Sequence, residues 1–188
     1  MQDQDHGDQP TRADARRNRE RLVGAARDAF TEQGPDAPLD SIARRAGLGS
    51  GTLYRHFPTR DALMREVYRD EIEVLCARAR EGWDAPSPGE ALVAWLRLVA
   101  ARTGRQGLAA ALMASMPDVS SRFIEDCHTA IENAAGPLLR HAQEAGAVRS
   151  DLTLRELLGL IHAITSGSGP DQIDRRLSLL LDGIRLSR

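Results

Sequence analysis

Apolar residues recur every three or four positions along most of this 188-residue chain, which is the spacing of one buried face of an α-helix. No segment alternates apolar and polar residues in the way that a half-buried strand requires. The pattern therefore predicts an all-α fold with about nine helices. They are expected near residues 12–33, 39–46, 50–57, 59–82, 89–102, 106–116, 118–145, 153–166 and 171–186.

Helix starts and breaks follow from particular side chains. Thr59 can cap the long helix that follows it, and Thr153 with Glu156 forms a capping box at the start of a later helix. Gly136 and Pro137 fall inside the segment 118–145. Because proline removes a backbone donor and clashes with the preceding turn, we expect that helix to be kinked or divided there.

The most informative pattern lies between residues 42 and 57, where two short helices flank a glycine. Apolar residues share one helical face before the turn and repeat it afterwards: Leu39, Ile42, Ala43 and Ala46, then Leu53 and Phe57. Gly47 suits the end of the first helix, because a residue without a Cβ adopts the left-handed conformation without a clash. This arrangement indicates a helix-turn-helix, whose second helix lies in the major groove. Double-stranded DNA is therefore the expected partner.

The distribution of charge agrees with a DNA partner. The whole chain carries −2, but residues 12–65 hold 11 arginines and 7 acidic residues and so carry +4. Residues 66–188 carry −3, and residues 1–11 carry −3. Positive charge is thus concentrated where the helix-turn-helix would meet phosphates, although +4 alone also fits ordinary variation of a protein surface.

Composition argues against several other classes of protein. Aromatic residues make up only 4% of the chain, which fits packed helices better than a sheet sandwich. No apolar run approaches the ~18 residues of a membrane span, and the polar start lacks the apolar core of a signal peptide. Cys76 and Cys127 are too few and too far apart for a disulfide framework or a zinc cluster. We therefore expect a cytoplasmic protein that needs no membrane and no cofactor.

Residues capable of catalysis are not grouped in a catalytic pattern. Cys127 and His128 are adjacent, so on a helix they point about 100° apart. Glu125, His128 and Glu132 lie within two turns and could hold a metal, but solvated surface charges are the preferred interpretation. No phosphate loop, serine elbow or dinucleotide fingerprint is present. A helical enzyme is accordingly the least favoured hypothesis, and no catalytic or metal site is predicted.

The residues around the turn resemble the N-terminal signature of TetR-type transcriptional regulators. The resemblance covers about residues 16–68 and rests on Ile42-Ala43, Ala46-Gly47-Leu48, Gly51-Thr52-Leu53-Tyr54, His56-Phe57, Arg60 and Leu63. It implies a homodimer that binds a palindromic operator and leaves it when a small-molecule effector enters a second domain. The implied arrangement is a disordered arm (1–11), a DNA-binding domain (12–58) and a helical ligand-binding and dimerisation domain (59–188), of which 59–82 is the linking helix.

The resemblance also implies which residues meet DNA. The recognition helix would be residues 50–57, and Arg60 would hold a phosphate. The residues facing DNA would be Ser50, Gly51, Thr52, Tyr54 and His56. Alternatives stay open for several of them: Thr52 and Tyr54 can pack instead, and His56 can serve as a cation at the end of a helix.

Two positions depart from the usual pattern of the family. Pro38 and Gly49 stand where residues with a capping hydroxyl are frequent. Proline suits the first turn of a helix and glycine caps weakly, so the fold tolerates both. Arg44 and Arg45 are expected to replace the phosphate contacts that the missing hydroxyls would make.

Two further surfaces are expected in the second domain. A ligand cavity would be lined by Trp95, Leu98, Met113, Met116, Phe123, Cys127 and His162, although methionine and aromatic residues at helical spacing also fit plain core. A dimer interface would use the apolar stripe of the last two helices: Leu157, Leu158, Ile161, Ile164, Leu177, Leu180, Leu181 and Ile184. That stripe is wider than one partner helix needs, with burial inside one subunit as the alternative.

The sequence thus predicts a DNA-binding transcriptional regulator. Its most favoured form is a repressor that a small molecule releases from its operator. An activator, or a regulator without a small-molecule ligand, is the alternative.

Overall fold

The computed structural model describes residues 12–104, 108–116, 120–165 and 170–186. Over these ranges it contains nine helices and one isolated β-bridge, between Val148 and Arg185, which confirms the predicted all-α fold. The helices are α1 (Arg12–Gln33), α2 (Leu39–Arg45), α3 (Ser50–His56), α4 (Arg60–Glu81), α5 (Pro88–Gly104), α6 (Leu108–Ala114), α7 (Ser121–Glu144), α8 (Leu154–Thr165) and α9 (Pro170–Ile184). In the described part of the chain, no helix has the length and apolar character needed to cross a membrane. The predicted N-terminal arm lies outside the described residues.

The chain divides into two compact units between Val67 and Tyr68, inside α4. The predicted boundary lies earlier, before α4 begins. The two differ because Leu63, Met64 and Val67, on the first turns of α4, are buried and belong to the N-terminal unit. α4 therefore contributes residues to both units.

The apolar faces of α1, α2 and α3 form the core of the N-terminal unit. Its buried side chains include Leu22, Ala26, Ala29, Phe30, Ile42, Ala43, Ala46, Leu53 and Phe57. The guanidinium carbon of Arg19 lies 4.7 Å from the centre of the Phe57 ring, and Arg19 Nη2 lies 2.9 Å from a carboxylate oxygen of Glu66. Arg19 thus joins α1 to the end of α3 and to the start of α4.

The turn between α2 and α3 has the conformation predicted for it. Gly47 has φ 66°, a value that strains any residue with a Cβ. Its amide donates to the carbonyl of Arg44, and the amide of Leu48 donates to the carbonyl of Ala43, both at 2.9 Å. These bonds satisfy carbonyls at the end of α2, so the chain can turn into α3.

Both predicted caps are present. The amide of Ala62 donates to Thr59 Oγ1 at 3.1 Å, and Thr153 and Glu156 exchange backbone-to-side-chain bonds of 2.8 and 3.2 Å. By contrast, α7 runs through Pro137 as one helix, so of the two predicted alternatives, a kink or a division, the division is wrong. Buried apolar residues lie on both sides of this proline, and their packing outweighs its intrinsic cost.

α5 lies at the centre of the C-terminal unit, where it packs against α6, α7, α8 and α9. The indole N–H of Trp95 donates to the carbonyl of Leu75 at 2.9 Å, which joins α5 to α4. The indole N–H of Trp83 donates to the carbonyl of Ala134 at 2.7 Å. Both tryptophans therefore have a partner for their one polar group, as aromatic residues in a core usually require.

Candidate nucleic-acid interface and C-terminal cavity

α3 presents one face to the N-terminal core and the other to solvent. Leu53 and the following Phe57 are each 1% exposed, so they pack inward as predicted. On the other face Tyr54 is 48% exposed. Of the remaining predicted contact residues, Gly51 is exposed and Ser50, Thr52 and His56 are half-buried. The outer face of α3 can therefore reach a groove without unpacking the core.

Neither short helix has a side-chain cap. Pro38 and Gly49 precede α2 and α3 with extended backbone, and neither offers a side-chain hydrogen bond. A Cβ built on Gly49 or Gly51 would meet no atom within 4 Å. The packing of the chain itself therefore does not require glycine at these positions. Close approach to another molecule is a further reason for glycine, and the contact of Gly51 with DNA stays a prediction.

The two arginines that end α2 differ in their surroundings. Arg45 Nη2 lies 2.7 and 2.9 Å from the two carboxylate oxygens of Glu32 on α1. This hydrogen bond raises the pKa of Arg45. Arg44 is exposed beside it. The sequence predicts the same phosphate role for both, but in this structure Arg45 also joins α2 to α1.

Arg60 has a second role that the sequence did not indicate. Its Nη1 donates to the carbonyls of Pro35 and Ala37, at 2.8 and 2.7 Å. Both acceptors lie in the loop between α1 and α2, where carbonyls lack a helical partner and need a donor. Arg60 therefore fixes this loop to the start of α4, while its predicted contact with a phosphate stays a prediction.

The C-terminal unit contains a cavity of about 150 Å³ lined by α4, α5, α6, α7 and α8. Its walls are mostly apolar, with five polar side chains among them. The lining residues are Tyr68, Glu71, Ile72, Leu75, Trp95, Val99, Arg102, Leu108, His128, Ile131, Leu158, Ile161 and His162. Such a mixture, in which apolar walls surround a few polar groups, is typical of small-molecule sites.

Of the residues predicted to line a cavity, Trp95 and His162 do so. Phe123 instead lies beside a lining residue, with its ring centre 5.9 Å from that of Tyr68. Cys127 is also buried, and burial raises the pKa of its thiol. Four other predicted residues do not line this cavity, and for them a contact with a ligand stays a prediction: Leu98, Met116, Phe123 and Cys127. The side chain of Met113 lies outside the described part of the chain.

α4 supplies four of the lining residues that the sequence prediction missed, besides Val99, Arg102, Leu108, His128 and Ile131 from other helices. Tyr68, Glu71, Ile72 and Leu75 follow the spacing i, i+3, i+4, i+7, which places them on one face of the helix. A tyrosine and a glutamate on an otherwise apolar face were the available signal. The prediction missed them because α4 was treated only as a linking helix.

One ion pair crosses the polar side of the cavity. Arg102 Nη1 lies 2.7 Å from Glu71 Oε2, and the two side chains are 31% and 15% exposed. Nearby, burial raises the pKa of Tyr68, with a smaller contribution from Cys127, so its hydroxyl stays protonated at neutral pH. The site thus offers a paired carboxylate, a paired guanidinium and a phenol hydroxyl.

The predicted dimer stripe is largely internal to one chain. Its five buried members belong to the core of their own subunit: Leu157, Ile161, Leu177, Leu181 and Ile184. Leu158 and Ile161 line the cavity. These six residues pack within their own chain, where α5 contacts α8 and α9 and α7 contacts α8, and their role in a dimer interface stays a prediction. Ile164 and Leu180 are half-buried.

The exposed apolar surface of the last two helices is carried by other residues. Leu160 on α8 is 45% exposed, and Leu179 on α9 is 64% exposed. The sequence prediction omitted both, because the spacing of the apolar residues does not reveal which side of a broad stripe the chain itself covers.

Glu132, one of the two acidic residues near His128 in the sequence, is engaged in the fold. Glu132 accepts a 2.8 Å hydrogen bond from Arg155, while His128 lies at the cavity wall. Among the residues that the structure describes, no group of three or more His, Cys, Asp or Glu side chains is placed to hold a metal ion.

Two family models match the chain. Residues 22–67 match the bacterial regulatory proteins of the tetR family, and residues 87–186 match the C-terminal domain of SbtR-like transcriptional regulators. The first match contains the helix-turn-helix, and the second covers more than half of the chain.

Several known proteins are similar to this chain over most of their length. The transcriptional regulator UidR of Escherichia coli is 27% identical over 88% of each chain. The solved structure of the TetR regulator SCO0520 from Streptomyces coelicolor is 38% identical, with a TM-score of 0.74 over 90% of this chain and 99% of that one. A TetR regulator from Mycobacterium vanbaalenii is 36% identical, with a TM-score of 0.74 over 94% and 100%. The chain belongs to the TetR family of DNA-binding transcriptional regulators.

Proposed function

We propose that the protein is a cytoplasmic, homodimeric repressor that reads a palindromic operator with α3 and leaves it when a small molecule fills the C-terminal cavity. Blocking a promoter is the simplest consequence of occupying an operator. Two copies of α3 would enter major grooves about 34 Å apart, one helical turn of DNA.

The observation that carries this proposal is the distribution of residues along α4. Its first turns, with Leu63, Met64 and Val67, belong to the unit that bears α3. Its later turns supply four residues to the wall of the cavity. A ligand that contacts these later turns can favour one arrangement of the protein over another. It lowers the affinity for DNA only if it binds that arrangement more tightly.

Dimerisation is the second part of the proposal. Leu160 and Leu179 expose apolar area on α8 and α9, and exposed apolar patches mark contact surfaces. A second copy presenting the same two helices would bury these residues symmetrically. The other possible arrangement, a monomer, would contact only one half of a palindrome.

Binding of fluorescent DNA from the region upstream of the chain's own gene tests the first step. Fluorescence anisotropy should show tighter binding to that region than to a scrambled duplex, and the affinity should fall steeply as salt rises. Equal affinity for both duplexes at every salt concentration would contradict sequence-specific binding.

The direction of regulation needs a separate measurement. Transcription of a reporter behind the same region should fall when the protein is present. A rise would show that the protein is an activator. A small-molecule library screened by thermal shift should contain compounds that raise the Tm, and those compounds should also weaken DNA binding. Compounds that raise the Tm and leave the DNA affinity unchanged would argue against release by a ligand.

A further inference from the structure

We propose that the C-terminal cavity takes a compact, uncharged aromatic molecule with a hydroxyl group, a simple phenol being the smallest example. This inference rests on the proposed function, which makes the cavity the effector site, and it adds the chemistry of the effector. The size of the cavity, the surface of Trp95 and the ion pair of Glu71 and Arg102 each support one part of it.

The volume limits the guest to about one ring. The cavity measures about 150 Å³, and an apolar cavity of that size accommodates benzene. Drug-sized ligands occupy roughly 300–1,000 Å³. Nucleotides, long acyl chains and oligosaccharides are therefore too large for the cavity in this arrangement.

Trp95 favours an aromatic guest. Its side chain is 3% exposed, and its N–H already donates to the carbonyl of Leu75. The indole therefore offers the cavity an aromatic surface, against which a second ring can stack offset or pack edge to face. Aliphatic walls from Ile72, Val99 and Ile131 surround the remaining space.

The ion pair favours a guest without charge. Glu71 and Arg102 neutralise each other at 2.7 Å in a half-buried position. An anionic ligand would have to draw Arg102 away, and a cationic ligand would have to draw Glu71 away. Either would leave the former partner with a poorly compensated charge, which is costly away from water.

A hydroxyl group can use the same pair without breaking it. A carboxylate has about four acceptor positions, so Glu71 can accept from Arg102 and from a ligand together. A bond from a neutral hydroxyl to an ionised carboxylate is also stronger than one between neutral groups. Tyr68, on the same face of α4, offers a second hydroxyl.

Calorimetric titration of the full chain with three probes of similar size tests the proposal. Phenol has the ring and the hydroxyl, toluene has the ring alone, and benzoate has the ring with a negative charge. We expect phenol to bind about tenfold more tightly than benzoate, and at least as tightly as the more hydrophobic toluene. Benzoate binding more tightly than phenol would overturn the proposal, and so would the absence of phenol binding.

Two variants test whether phenol binds beside Glu71. Glu71→Gln removes the charge of the acceptor and should weaken phenol binding about tenfold while leaving toluene binding unchanged. Glu73→Gln, on the same helix but exposed and bonded to Arg80, is the matched control and should change neither affinity. Equal phenol affinities of the two variants would contradict a role for Glu71. Far-UV circular dichroism verifies that both variants are folded.

The outcomes separate the chemistry of the cavity from its regulatory role. Phenol binding with the expected selectivity, but without loss of DNA affinity, would support the assigned chemistry and overturn release by this ligand. If phenol binds neither the wild type nor the two variants, while a larger or charged compound releases the DNA, the chemistry assigned to the cavity is overturned. The repressor proposal then stays intact.

Discussion

Nη1 of Arg60 lies 2.7 Å from the carbonyl oxygen of Ala37, and the same nitrogen lies 2.8 Å from that of Pro35. One half-buried guanidinium thus holds the loop that carries Pro38 into α2. Since α2 packs against α3, the position of α3 depends on a side chain whose predicted role is a phosphate contact. The two roles can be separated by measurement.

Replacing Arg60 with Gln should destabilise the protein as well as weaken DNA binding. The loop carbonyls lose a charged donor, which corresponds to about 1–3 kcal/mol of the free energy of unfolding. Urea unfolding followed by circular dichroism measures this loss. Arg44→Gln is the matched control, because Arg44 is exposed and should affect DNA affinity alone. Equal stability of the two variants would contradict a structural role for Arg60.

The sequence predicted the structure best where interactions between neighbouring residues decide it. Gly47 ends α2, Thr59 caps α4 and the pair Thr153 and Glu156 caps α8, because each needs only a few neighbouring residues. The inward face of α3 was predicted for the same reason, since the spacing of Leu53 and Phe57 defines it.

Long-range packing explains what the sequence did not predict. Leu157 and Leu160 lie on the same helix and are equally apolar, yet one is fully buried and the other is 45% exposed. Which side of α8 faces α5 and α7 depends on the whole bundle rather than on the stripe. In the same way, the cavity wall uses Glu71 of α4, which the chain brings beside Trp95 and His162 although they lie far from it in the sequence.

Tyr54→Phe should weaken operator binding without changing stability. The variant removes one hydroxyl from a side chain that is 48% exposed, so the core packing is unaffected. Loss of a single hydrogen bond to a phosphate corresponds to about a 3- to 10-fold loss of affinity. Fluorescence anisotropy with operator DNA measures it. Leu53→Ala gives the opposite pattern, a large loss of stability, because Leu53 is buried. If Tyr54→Phe binds the operator as tightly as the wild type, the hydroxyl of Tyr54 does not contact DNA.

Glu156 makes the start of α8 sensitive to acid. Backbone and side-chain hydrogen bonds from Thr153 hold the pKa of Glu156 below its usual value of about 4.3. The carboxylate therefore stabilises the folded state above that value, and the contribution is lost as the pH falls through the lower pKa of the folded state. The difference in unfolding free energy between the wild type and Glu156→Gln should shrink across this range. A difference that is independent of pH would contradict the capping role.

Leu179→Glu should convert the proposed dimer into a folded monomer. Leu179 is 64% exposed on α9, so a glutamate there is solvated in one chain but would place like charges in a symmetric interface. Sedimentation equilibrium measures the mass, and the Tm verifies the fold. Glu144→Gln, exposed at the end of α7, is the control and should remain dimeric. A Leu179→Glu protein that still sediments as a dimer would place the interface elsewhere.

Gly51, in α3, and Gly49, directly before it, should separate stability from DNA binding. Gly51→Ala fills open space inside α3 and should stabilise the protein by up to about 1 kcal/mol, because alanine is the better helix former. The added methyl group should nevertheless weaken operator binding if backbone and DNA approach closely there. Gly49→Ser also meets no neighbouring atom, and its hydroxyl can cap α3, so it should gain a few tenths of a kcal/mol. Paired measurements of Tm and DNA affinity distinguish the two positions. If Gly51→Ala keeps full affinity, its glycine is not a point of close approach, and α3 meets DNA through its side chains alone.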